Sequence, residues 1–157
     1  MITQNELKRL FDYNPITGNF IFKVKTGKKV IVGTIAGTKS GDYTIIRVDG
    51  KRYRAHHLAW LYVYGNLPTD IIDHINGNGR DNSIANLREC SQKQNCENKG
   101  GVSGYYYDKA RNKFQAKIKN NYKTVFLGRF DTEEEARQAY INAKKQHHLF
   151  NPELRDD

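Results

Sequence analysis

No apolar run in this chain exceeds seven residues; the longest is "LAWLYVY" at 58–64. A membrane span takes roughly 20 apolar residues, so none is expected here. The chain has to fold from short elements separated by turns. It has 157 residues, 38% hydrophobic and 27% charged. That balance suits small modules better than one large core, and one domain or two small ones are expected. The opening "MITQNELKRLFDYN" lacks the apolar centre of a signal peptide, so a cytoplasmic protein is expected. Cys90 and Cys96 are the only cysteines and do not form a CxxC pair. No structural zinc is expected from them, and a disulfide has no support in such a chain.

Charge narrows the partners. Lys and Arg number 26 against 17 Asp and Glu, for a net charge of +9. Such an excess is the usual footprint of a nucleic-acid partner; the bland alternative is a soluble basic protein. Residues 1–99 carry 15 basic and 9 acidic side chains, residues 100–129 carry 7 and 1, and residues 130–157 carry 4 and 7. A basic segment followed by an acidic one suggests a two-faced module with one face meant for polyanion.

Short elements can be placed by pattern. "NELKRLFDY" (5–13) has helical spacing at Leu7, Leu10 and Phe11. "NPITG" is a turn, "NFIFKV" (19–24) a strand, and "TGKKVIVGTIAGT" holds another. "YTIIRV" and "KRYRAHH" flank Asp49-Gly50, the pair favoured in a type I′ hairpin turn. "HLAWLYVYG" (57–65) is a short helix or strand with Leu58, Leu61 and Val63 inside and Trp60 as an anchor. "IIDHI" (71–75) reads as a strand, "NGNGRDNS" as irregular loop, "ANLREC" as a return strand, and "SQKQNCEN" as a short helix capped by Ser91. "KGGVSG" (99–104) is the expected boundary. Beyond it, "YYY", "KFQAKIK" and "KTVFLGRF" are strands joined by the turns "DKARN" and "NNY". "DTEEEARQAYINAKKQHH" (131–148) is a helix with a Thr132–Glu135 capping box and an Ala136, Ala139, Tyr140, Ala143 stripe. "FNPELRDD" is a loose tail.

The segment "IIDHINGNGRDNSIANLRECSQKQNCENKG" (71–100) carries chemistry-bearing residues. Asp73 offers hard carboxylate oxygens and Asn95 an amide oxygen, donors that suit Mg²⁺ or a similar ion. His74 can take a proton from water near neutral pH. In a basic protein these groups suit a phosphodiesterase. Two considerations oppose that. Neighbours on a regular strand face opposite ways, so Asp73 and His74 would need a distorted strand or a site wrapped round its end. Asn and Asp near turns also commonly serve as loop caps.

The spacing of "DHINGNGRDNSIANLRECSQKQN" resembles the HNH endonucleases of the ββα-metal fold, especially the phage and intron-homing kind. The matching positions are Asp73-His74, the loop through Asp81-Asn82, Asn86-Leu87-Arg88, and Asn95. The upstream "GDYTIIRVDGKRYRAHHLAW" resembles the segment that precedes the motif in phage members, with His57 where an Arg or Lys often stands. The resemblance implies His74 as general base and Asp73 and Asn95 as ligands of one divalent ion, Mg²⁺ or Mn²⁺. It implies that Asn86 holds the loop and orients His74 through hydrogen bonds. Arg80 is a phosphate contact by charge alone. Asn98 is expected to be a helix end, and His56 and His57 core or DNA-backbone residues.

Residues 101–140 resemble the plant ethylene-response-factor (Apetala-two) DNA-binding domain. The landmarks are Gly101-Val102, Phe114, Ala116, Ile118, Leu127-Gly128, Phe130, Glu135-Ala136 and Ala139-Tyr140. Alternation puts Phe114, Ala116 and Ile118 inside and Gln115, Lys117 and Lys119 outside. The family's DNA-facing positions hold Ser103, Tyr105, Tyr107, Lys117, Lys119 and Phe126, and Lys123 joins them as a basic neighbour. Ser103 and Tyr105 lack the bidentate grip of Arg on guanine, which points to backbone contact instead.

The expected fold is α+β. Residues 1–99 form a β-rich region leading into the ββα-metal motif, with its core at 71–98. Residues 100–150 form a three-stranded antiparallel sheet packed on one α-helix, and 151–157 the tail. The expected function is metal-dependent hydrolysis of double-stranded DNA by a monomer or weak dimer in the cytoplasm, the host's if phage-encoded, with protein partners left open. The alternative is a DNA-binding regulator with a vestigial site. An RNA-binding protein is a weaker third reading, since no RNA-binding motif is recognised.

Overall fold

The computed structural model describes residues 2–98, 104–120 and 123–148. Expectations for the 99–103 part of the boundary, for Gly101-Val102 and Ser103, for the turn at Asn121-Tyr122 and for the 151–157 tail lie outside the described residues. The chain divides into two compact units, Met1–Gln92 and Lys93–Asp157. The fold is mixed α and β, with four helices and several small antiparallel sheets among the described residues.

In the first unit, helix α1 (Gln4–Leu10) starts at Thr3, whose hydroxyl accepts from the Glu6 amide at 3.2 Å. The sequence pattern carries the helix on to Phe11. The chain instead turns extended there, and strand β1 (Phe11–Tyr13) pairs with β2 (Phe20–Phe22), which pairs with β3 (Ile35–Ala36). Extended backbone brings the Phe11, Tyr13 and Phe20 rings together with centroids 4.8–5.9 Å apart. Leu7, Phe11, Phe20, Ile46 and Leu58 are fully buried at the centre of this core.

A second sheet joins β4 (Thr38–Ser40), β5 (Tyr43–Val48) and β6 (Lys51–Arg54) in that order. The β5–β6 turn is the expected one: Asp49 and Gly50 both have positive φ, at 48° and 76°. Helix α2 (Ala55–Tyr64) follows and ends at Gly65, whose left-handed backbone lets its N–H cap the Leu61 carbonyl at 3.0 Å. It buries His56, Leu58 and Leu61, but Val63 is exposed, because the helical period carries it off their face. Trp60 is partly buried and packs its ring 4.4 Å from Tyr64. Strands β7 (Ile71–His74) and β8 (Leu87–Cys90) complete the unit as a two-stranded ladder. A 3₁₀ turn, Ile84–Asn86, opens β8 where a longer strand was expected. Cys90 is buried and Cys96 is exposed.

The N-terminal turn braces the loop between β7 and β8. Tyr13 donates its hydroxyl to the Asn82 carbonyl at 2.7 Å, and Ile84 donates its amide to the Pro15 carbonyl at 3.0 Å. Gly18 (φ +70°) passes so close that a Cβ would lie 2.3 Å from the Asn82 carbonyl carbon. Only Gly suits both the backbone angle and the gap. Gly18→Ala is expected to destabilise the protein by about 2 kcal/mol, read from urea unfolding.

In the second unit, α3 (Gln92–Glu97) is followed by β9 (Tyr105–Asp108), β10 (Lys113–Asn120), β11 (Lys123–Phe130) and α4 (Glu133–His147). The sheet order is β11-β10-β9, all antiparallel, and α4 packs on it. The Thr132–Glu135 capping box is present at the start of α4. Ala116, Ile118, Ala136, Tyr140 and Ala143 are buried, as the two periodicities require, while Phe114 and Ala139 are only partly so.

Candidate functional site

The β7–β8 ladder is short and regular. Ile71 to His74 pair in unbroken register with Cys90 to Leu87. Asp73 therefore lies opposite Arg88 and His74 opposite Leu87, and the pleat sends the two neighbouring side chains to opposite faces. The strand is not distorted here, so of the two arrangements that could bring both residues to one site, only a site wrapped round the strand end remains. Asp73 is held by its cross-strand neighbour: Arg88 Nε and Nη2 donate to its Oδ2 at 3.0 and 2.8 Å. His74 is the last residue of β7, so its ring lies at the end of the ladder, where the loop begins.

That loop is built by its own polar side chains. Asn86 accepts from the Asn76 amide at 2.9 Å and donates to the Asp81 carbonyl at 2.8 Å, spanning the loop. Asp81 accepts from Asn76 Nδ2 on one oxygen and from the Ser83 amide and hydroxyl on the other. These bonds outweigh the opposing effect of burial, the largest single influence, and hold the Asp81 carboxyl below its usual range. Asn86 thus braces the loop, as expected. Asn82, 3% exposed, also reaches His74, placing its Oδ1 3.4 Å from His74 Nε2. Asn82 was within the quoted motif, but nothing in its spacing pointed it at the imidazole.

His74 is 5% exposed. Burial lowers its pKa, against the opposing pull of the Asn82 hydrogen bond and the charges of Asp73 and Asp81. The imidazole is accordingly neutral at neutral pH, the form able to accept a proton. Its ring meets His56 edge-on at 4.8 Å and lies 6.1 Å from Tyr43. His56 is 2% exposed, and its Nδ1 has no hydrogen-bond partner among the described residues. It is a core residue, one of the two roles expected of it.

Burial first, then the charges of His57, His74 and Arg54, push the His56 pKa down to about 3. An unfolded His titrates at about 6.5. Between those values the unfolded chain takes up a proton that the folded chain refuses. Stability that is present above about pH 6.5 is therefore lost as pH falls. At pH 5 His56 alone accounts for about 2 kcal/mol. Urea unfolding at pH 7 and pH 5 measures the loss. His56→Gln should shrink the difference, and an undiminished difference rules His56 out as its source.

The other expected site residues fall as follows. Arg80 is exposed and donates to the Gly41 carbonyl at 2.9 Å. Asn95 stands on α3 in the second unit, partly buried, and Asn98, which follows that helix, is buried. Lys117, Lys119, Lys123 and Phe126 are exposed. Tyr105 and Tyr107 differ from expectation. They pair with Ala116 and Phe114, so they share the sheet face that α4 covers, and the Tyr105 hydroxyl reaches Glu133 on that helix at 3.2 Å. The tyrosine on the opposite face is Tyr106, paired with Gln115. There Lys117 lies over the Tyr106 ring at 5.0 Å, and Arg129 over the Phe126 ring at 5.2 Å. Plain alternation could have shown Tyr106, but only the cross-strand register says which parity faces out.

Residues 53–96 match the family model described as HNH endonuclease. No curated protein and no solved structure matches the chain. The match takes in the end of β6, α2, the β7–β8 ladder with its loop, and most of α3, and it supports an HNH-type nuclease. Among the described residues, no cluster of three His, Cys, Asp or Glu side chains could hold a metal. A ligand pair of one carboxylate and one amide would not form such a cluster. The donor chemistry of Asp73, a hard carboxylate already drawing a cation in Arg88, fits a divalent ion. No helix among the described residues is long and apolar enough to cross a membrane.

Proposed function

We propose that the chain is a metal-dependent DNA endonuclease of the phage or homing HNH type. The observation that supports it best is a buried His74 beside Asn82, at the end of a strand that also carries Asp73, all inside the HNH match. His74 accepts a proton from water. The water oxygen bonds to phosphorus, the P–O3′ bond breaks, O3′ takes up a proton from solvent, and the products are a 5′-phosphate and a 3′-hydroxyl. HNH nucleases generally use a divalent ion. With Asp73 as its carboxylate ligand, that ion would stabilise negative charge on the phosphorane and the departing oxygen. Asn86 keeps the loop in shape and Arg80 neutralises a phosphate.

The second unit supplies docking in this reading. Its outer sheet face offers Tyr106, Gln115, Lys117, Lys119, Phe126 and Arg129, with Lys123 at the hairpin end. Such a sheet face suits backbone and groove contact. Supercoiled plasmid is incubated with purified protein and Mg²⁺ or Mn²⁺, or with a chelator. Nicked or linear product with metal and none with chelator is the expected result. Binding without cleavage under every condition would leave a DNA-binding regulator with a vestigial site.

A further inference from the structure

The β4–β5–β6 sheet has one face in the core and one in solvent. Ile46 and Val48 are buried on the inner face. The residues between them turn outward with their cross-strand partners: Ile45 beside Arg54, and Arg47 beside Arg52. Tyr43 continues the outer row toward the start of β5. Arg47, Arg52 and Arg54 are all exposed, and none forms an ion pair among the described residues. Like charges directly across a ladder repel and cost stability. The Arg47–Arg52 pair carries that cost with no counter-charge on its own face.

The row leads somewhere. The Arg54 guanidinium lies over the Tyr43 ring at 4.7 Å, and that ring lies 6.1 Å from His74. Arg80, on the loop after β7, reaches back to the Gly41 carbonyl in the β4–β5 turn, which places a fourth guanidinium at the edge of the same sheet. Guanidinium groups are suited to phosphate oxygens.

We propose that the outer face of the β4–β5–β6 sheet is a DNA-backbone surface belonging to the nuclease unit itself, with Arg47, Arg52 and Arg54 as its phosphate contacts and Arg80 at its edge. Duplex DNA lies along the sheet, and Tyr43 marks the end nearest His74. The assignment rests on the nuclease reading for its substrate, yet binding tests it separately from cleavage.

The test uses the full chain carrying His74→Ala, fluorescently labelled duplex DNA, and anisotropy across a salt series. Each phosphate contact contributes about 0.9 to the slope of log affinity against log salt. Replacing Arg47, Arg52 and Arg54 together by Gln is expected to lower that slope by about 2–3. The comparison variant removes the same number of charges from the β2–β3 loop of this unit by replacing Lys25, Lys28 and Lys29 with Gln, and should keep the slope. An unchanged slope in the arginine variant, or an equal fall in both, overturns the proposal. Cleavage by the unmutated chain with an unchanged slope in the arginine variant would sink the surface and leave the nuclease. The expected slope loss in a chain that cuts no DNA would sink the nuclease and leave the surface.

Discussion

His74→Ala is expected to lower DNA cleavage by roughly 10²–10⁴-fold, the usual worth of a positioned general base, and to leave DNA affinity nearly unchanged. The two outcomes have separate causes. In the proposed mechanism the imidazole at the end of β7 is the neutral acceptor for the proton of water, so its removal is expected to slow cleavage. Affinity holds because a buried, neutral ring adds no charge to the field that DNA senses. Single-turnover cleavage and anisotropy on the same duplex read the two quantities. His74→Gln keeps a polar side chain in the pocket, which separates loss of the base from loss of packing. Burial lowers the His74 pKa, so the unmutated rate should survive acidification past the point where an ordinary His is half protonated, then fall. Retained cleavage in both variants would end the role assigned to His74.

Asn86→Ala is expected to cost about 2–4 kcal/mol of stability and to lower cleavage with it. The side chain is 9% exposed and fastens two distant points of the loop, the Asn76 amide and the Asp81 carbonyl. Truncation leaves a donor and an acceptor without their partner, each worth about 1–3 kcal/mol where water cannot replace it. The effect on cleavage follows from the same bonds. Asp81 precedes Asn82, and Asn82 touches His74, so a slack loop loosens the base. Urea unfolding measures the first effect and single-turnover cleavage the second. Asn86→Asp keeps the acceptor for Asn76 and loses the donor to Asp81, so an intermediate result is expected. Full stability with normal cleavage in Asn86→Ala would show that the loop does not depend on this brace.

Several parts of this chain could be read without a structure. The Asp49-Gly50 turn, the capping box of α4 and the strand–loop–strand order around Asp73-His74 each depend on residues a few positions apart. The framing role of Asn86 came from the resemblance to the HNH endonucleases, since by residue type alone the Asn and Asp of the loop read equally as turn caps. Other parts were not legible. Phe11 has helical spacing but ends α1, because its ring packs against Phe20 and Phe22. Val63 sits in an apolar run but faces solvent. Tyr105 and Tyr107 turned to the helix side because of their pairing with Ala116 and Phe114.

By itself the sequence determined the turns, the caps, the short elements and which residue types stand in the Asp73–Asn95 segment. It did so because those features are local, and local sterics and hydrogen bonds decide them. The tertiary structure alone decided that Asn82 meets His74, that Gly18 and Tyr13 brace the loop from more than 60 residues away in sequence, and that three arginines share one open sheet face. Each of those depends on strand register and on packing between residues far apart in sequence. Register slides every side chain of a strand to one face or the other, and no single residue in the strand carries that choice.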